Sequence, residues 1–162
     1  MQGDVLKEIA EILDRLERLR EKVESGALGR AIEELRIALE EMGGVRRKSN
    51  EGLRHYLAKV ELLRRFEGSV YLEAEETGLS KIGYRPDAVV IGDEEVVIIE
   101  IETDPRRAME KVRKIERKMG EIRRSPITTN RRLRIVMGVL GKVGEELRRK
   151  ARKVGVEVVE LS

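Results

Sequence analysis

Apolar residues along the first part of the chain fall at helical intervals. Val5, Ile9, Ile12, Leu16, Leu19 and Val23 are spaced 4, 3, 4, 3, 4, the signature of a heptad seam on one helix. Ser25-Gly26 interrupts the pattern. A second helix follows with Leu28, Ile32, Leu35, Leu39 and Met42 at spacings of 4, 3, 4, 3, and Gly43-Gly44 ends it. The pattern predicts an antiparallel, coiled-coil-like helical hairpin over residues 1–44. Residues 45–50, Val-Arg-Arg-Lys-Ser-Asn, are polar and basic and read as a linker whose Ser49 or Asn50 caps the next helix.

The period changes beyond the linker. Leu53, Leu57, Val60, Leu63 and Phe66 give one more helix over about 51–66, stopped by Gly68. Val70, Leu72 and Ala74 alternate with polar neighbours and predict a first strand, with Glu73 and Glu75 on its polar face and a loop over 77–83. Residues 87–91 and 95–102 are rich in Val and Ile around Gly92-Asp93, as in a β-hairpin whose sheet is covered on both faces. Ala108, Val112, Ile115, Met119 and Ile122 mark a helix over about 105–122. A buried strand over 133–140, a helix over 142–153 and a strand over 156–161 complete the chain. The second module, residues 51–162, is therefore an α/β unit in which an antiparallel meander feeds a crossover to a parallel strand.

Hairpin geometry supplies candidate chemistry. With a two-residue turn at Gly92-Asp93, Val89 faces Val96 and Asp87 faces Ile98; a four-residue turn opposes Asp87 to Glu100. Both place Asp87, Glu100 and Glu102 on one face, because cross-strand partners and residues two apart share a side. Three carboxylates among apolar strands cost several kcal/mol unless a cation compensates them. Mg²⁺ or Mn²⁺ suits such oxygen ligands and retains water. Pairing of Glu100 and Glu102 with Arg85, Arg106 or Arg107 is the plainer alternative.

Composition narrows the chemistry. The 162 residues hold no Cys and one His, which excludes thiolate nucleophiles, Cys-based zinc sites and His-pair metal sites. No apolar run nears the roughly 18 residues that span a bilayer, and residues 1–3 lead into a charged helix without a signal-peptide core, so a soluble, cytoplasmic protein with no membrane partner is expected. Abundant Lys, Arg and Glu match a thermophile's composition. Charge is uneven: residues 1–44 carry 11 acids and 7 bases (−4), leaving 20 acids and 27 bases (+7) in the rest. That asymmetry points an anionic partner to the second module. On the helix after the acids, Arg107, Lys111, Lys114 and Lys118 recur at 4, 3, 4 beside Arg106, a row that could follow a phosphate backbone. The bland reading is a solvated helix face. Aromatics for stacking are scarce, Tyr84 beside Arg85 being the one suggestive case, so duplex or branched DNA suits the surface better than single-stranded RNA.

Arg85-Pro86-Asp87, twelve intervening residues and Glu100-Ile101-Glu102 resemble the motif of the PD-(D/E)XK nuclease superfamily, whose core order of helix, three-strand meander, helix and strand matches residues 51–140. His55-Tyr56-Leu57-Ala58-Lys59 and Ile99-Glu100-Ile101-Glu102-Thr103 resemble small archaeal nuclease-like domains of this type. The resemblance implies a restriction-endonuclease-like mixed sheet flanked by helices and a Mg²⁺- or Mn²⁺-dependent DNA endonuclease. Asp87 and Glu100 would then be metal ligands, Ile101 would offer its carbonyl, and Glu102 would act as base or further ligand. Glu61 is the first-helix acid by the same analogy, or one more solvated charge. Glu102 stands where the superfamily usually has Lys; Lys111 is the nearest candidate for a migrated lysine. The competing reading is an inactive relative that binds DNA or protein. His55 and Lys59, one helical turn apart, could line the cleft. The helical module, with Leu6, Leu13 and Ile37 just off its seams, is expected to form a homodimer through residues 4–42.

Overall fold

The computed structural model describes residues 2–162; Met1, which opens the first module read from the sequence, lies outside the described residues. The fold is mixed α/β, with one five-stranded mixed sheet and flanking helices, and the chain divides into two compact units at Glu61/Leu62.

The first unit contains α1 (Gln2–Arg20), α2 (Gly26–Gly43) and most of α3 (Leu53–Leu63). Ser25 caps α2 by accepting the N–H of Leu28 at 3.2 Å, and Gly44, at φ 76°, closes it with an N–H to the carbonyl of Glu40. Helices α1 and α2 pack side by side, with Arg36 donating to Glu17. The expected seam of α1 is met in part: Ile9 and Leu16 pack, half-buried, against the interior of the unit. Leu6, Ala10 and Leu13 are buried with Ile32 and Leu39 of α2 and Tyr56 and Val60 of α3, whereas Val5, Ile12, Leu19 and Val23 are exposed. Two apolar stripes one residue apart are interleaved on α1, and the one facing two neighbouring helices at once became the interior.

Residues 45–51 are not a free linker. The carboxylate of Glu51 accepts the Lys48 N–H and an N–H from the fully buried Lys59 ammonium at 2.6 Å, and it contacts His55 Nδ1. Lys59 also donates to the carbonyl of Arg46, and Tyr56 OH donates to that of Val45 at 2.6 Å. The carboxylate of Glu51 is held below its usual range: burial opposes ionisation, but His55, Lys59 and the Lys48 N–H together outweigh it. His55 and Lys59 therefore fasten the turn before α3, which replaces the cleft-lining expectation.

The second unit holds the sheet, in spatial order β1 (Ser69–Tyr71), β2 (Ala88–Ile91), β3 (Glu95–Glu102), β4 (Arg132–Leu140), β5 (Val156–Leu161). The first three pair antiparallel, and β3–β4 and β4–β5 are parallel through crossovers containing α5 (Ala108–Arg123) and α6 (Glu145–Val154). One face packs Val89, Ile98, Met137 and Val156 against Val112 and Ile115 of α5 and Leu147 and Ala151 of α6. On β4 Gly138 makes room for Leu161 and Leu62.

The first strand is shorter than the alternation suggested. It ends at Tyr71, and α4 (Ala74–Thr77) and a 3₁₀ turn (Leu79–Ile82) occupy the expected strand end and loop. Gly78 and Gly83, at φ 79° and 70°, terminate these short helices, a backbone that side-chain-bearing residues rarely adopt. Glu75 therefore lies in α4, where it pairs with Arg85.

Candidate functional site

The β2–β3 register pairs Ile91 with Val96 and Ala88 with Ile99, which is the four-residue turn of the two alternatives. The pairing ends at Ala88–Ile99, and the Asp87 N–H donates to the same Ile99 carbonyl at 3.0 Å, which keeps Asp87 beside the end of β3. Side-chain alternation from Val89 and Ile98 puts Asp87, Glu100 and Glu102 on the face that α5 covers.

Proximity separates these acids. Glu100 is buried, and its Oε1 accepts the Asp87 N–H at 3.3 Å. Asp87 Oδ2 accepts the Ile101 N–H at 2.7 Å. Lys111, from the first turns of α5, donates its ammonium to the Ile101 carbonyl at 2.6 Å and stands 3.8 Å from Asp87 Oδ2. Glu102, by contrast, accepts the N–H of Asp104 at 2.9 Å and so braces the turn into the next helix. Among the described residues, no group of three His, Cys, Asp or Glu side chains is placed to hold a metal ion.

Burial is the dominant electrostatic influence. It pushes the Glu100 carboxyl up to about 7; the Lys111 ammonium opposes that rise, Asp87 adds to it, and the Asp87 N–H and Lys114 moderate it. Tyr84, fully buried, has a hydroxyl with no hydrogen-bond partner, and burial together with the charges of Glu100 and Asp87 raises its pKa well above the ordinary phenol value. A buried phenol cannot stack on a base, so Tyr84 belongs with the buried acids rather than with a nucleic-acid surface. The sequence signal that could have placed it was its position three residues before Asp87, next to a glycine-terminated turn.

Asp87 and the Ile101 carbonyl share the Lys111 ammonium, Glu100 lies beside them within its field, and an orphaned hydroxyl lies within the fields of both acids. That oxygen-donor set suits a hard divalent ion that keeps several waters. The cation at these oxygens in the structure is the Lys111 ammonium, which stands beside a buried carboxyl pushed up to about 7.

Glu61 is half-buried on α3 at the end of the first unit. Of the basic row, Arg107 and Lys114 are exposed, but Lys111 is committed as described and Lys118 donates to the Ile82 carbonyl at 2.7 Å. Arg106 forms a bidentate pair with Asp104, which caps the 3₁₀ turn Pro105–Arg107. No helix among the described residues is long and apolar enough to cross a membrane. Comparison of the chain with protein-family models and with curated proteins returns no match.

Proposed function

We propose that residues 62–162 carry a PD-(D/E)XK-type site and that the protein is a Mg²⁺- or Mn²⁺-dependent endonuclease hydrolysing phosphodiester bonds of duplex or branched DNA. The observation that carries this reading is the convergence of Asp87, Glu100, the Ile101 carbonyl and Lys111 at the end of β3. Asp87 and Glu100 with the Ile101 carbonyl would hold the ion, which supplies charge to the phosphoryl group and acidity to a water. The rest is done by the chain's own groups. Ile101 N–H fixes the Asp87 carboxylate, Lys111 brings a positive charge to the edge of the site, and exposed Arg107 and Lys114 contribute sequence-independent affinity for phosphates.

Incubation with supercoiled, linear and branched DNA in Mn²⁺ tests this: cleavage that is lost in Asp87→Asn supports it, and no cleavage of any substrate refutes it. The position of Glu102 favours a second reading. With that carboxylate bonded to the Asp104 N–H, only two acids converge, as suits a nuclease-like domain that binds DNA or protein without cutting. Retention of DNA on a filter without cleavage would select it.

The proposal extends to assembly. We read α1 and α2 as an antiparallel hairpin that pairs two copies of the chain, because Val5, Ile12 and Leu19 stand exposed at seven-residue intervals along α1.

A further inference from the structure

The acids at the end of β3 already have a cation beside them that the chain itself supplies. Lys111 Nζ takes the Ile101 carbonyl at 2.6 Å and lies 3.8 Å from Asp87 Oδ2, while Glu100, buried beside them, accepts the Asp87 N–H. These are the oxygens a hard divalent ion would need, and two positive charges cannot share them. The lysine is not sealed in. Its side chain and that of Asp87 are 24% and 23% exposed, so rotation of its flexible four-carbon stem carries the ammonium to solvent. Lys118, further along the same helix, differs: it is tied to the Ile82 carbonyl and to Glu121 on its own helix, away from Asp87 and Glu100.

We propose that Lys111 is a tethered counter-ion, and that a divalent cation enters the site by displacing its ammonium from Ile101 and Asp87. Released, the ammonium becomes available to an anionic group of the substrate at the edge of the same site, so that cation binding and phosphate binding reinforce each other through one side chain. This inference rests on the reading of Asp87, Glu100 and the Ile101 carbonyl as the ligand set.

Calorimetric titration of the full chain with Mn²⁺ alone separates displacement from other roles. Lys111→Gln should bind Mn²⁺ at least about tenfold more tightly than wild type, as expected from removing one like charge a few ångströms away in a partly solvated site. A structural or directly ligand-supporting lysine predicts equal or weaker binding, and either result overturns the proposal, as does absence of Mn²⁺ binding by both proteins. Because the variant leaves two acids uncompensated and could unfold, wild type is also acetylated with and without Mn²⁺ and read by mass spectrometry. Mn²⁺ should raise the reactivity of Lys111 several-fold while leaving Lys118 unchanged; equal reactivity of Lys111 overturns the proposal. Displacement without DNA cleavage would remove the nuclease reading and leave this one standing.

Discussion

Asp87 Oδ2 accepts the main-chain N–H of Ile101 at 2.7 Å, so the carboxylate just before β2 is fastened to the adjacent strand. The bond divides structural from chemical roles. In Asp87→Asn the amide oxygen can still accept that N–H, so stability should change by less than about 1 kcal/mol, whereas Asp87→Ala strands a partly buried donor and should cost about 1–3 kcal/mol. Both variants lose the charge. If the site works as proposed, each loses several kcal/mol of cation-mediated stabilisation, and cleavage falls by at least about a hundredfold. Urea unfolding and plasmid nicking on the same samples check the split.

The raised pKa of Glu100 makes stability depend on pH. The folded carboxyl titrates at about 7 against an ordinary 4.5, so between these values the folded protein holds a proton that the unfolded chain releases. This contribution is fully favourable below about 4.5 and is lost as pH rises to about 7, a loss of about 3 kcal/mol. Glu100→Gln removes it. In EDTA, the variant should match wild type near pH 4.5 and exceed it in stability at pH 8; parallel stability curves across that range would exclude the effect.

The legible part of the fold was the part written in period. Continuous Val and Ile runs marked the hairpin strands, and of the two even turn lengths, which put Asp87, Glu100 and Glu102 on the same side, the longer is the one formed. Sharing a face is not convergence, however. Glu102 lies beyond the last strand pair with β2, where the turn's own Asp104 N–H competes for its carboxylate. The α1 seam is legible only in part: Ile9 and Leu16 pack on the interior, but Val5-Leu6 and Ile12-Leu13 offer two adjacent apolar rows, and only α2 and α3 decide between them. Similarly, Val70-Leu72-Ala74 is too short an alternation to outvote the glycines that end the helical turns after it. The reach of Lys111 back to Ile101 was open to the sequence as a migrated lysine, but its partner atom is a main-chain carbonyl, which leaves no trace in residue identity.

In the first unit, Lys59 and Glu51 form a buried pair, and each single loss should be costly. Lys59→Met leaves the Glu51 carboxylate without its principal cation and should destabilise by about 3–5 kcal/mol, while Lys59→Met combined with Glu51→Leu should recover most of that loss. Thermal unfolding of the two single variants and the double variant forms a cycle; additive losses would show that the pair is not coupled.

Gly138, on the interior strand β4, is closely surrounded by leucine side chains. A Cβ there would lie 2.6 Å from Leu161 Cδ1 and 3.0 Å from Leu62 Cδ2, so Gly138→Ala must push both side chains aside. Overpacking of this kind costs about 1–3 kcal/mol. A denaturation midpoint unchanged from wild type would mean that the leucines repack freely.

The exposed row on α1 sets the last expectation. Val5, Ile12 and Leu19 are 45%, 43% and 46% exposed, while Leu6 and Leu13, the residues expected from the sequence to need a partner, are already covered within the chain. If two copies pair, the seam is therefore the 5–12–19 row, and a charge at its centre should break it without disturbing the fold. Ile12→Glu should convert a dimer to a monomer in sedimentation at micromolar protein while the helical circular dichroism stays constant. Leu13→Glu, whose side chain would enter the buried cluster, should instead unfold the first unit, at the cost of burying an unpaired carboxylate. A monomer mass for the wild type, or a dimer that tolerates Ile12→Glu, would remove this seam as the interface.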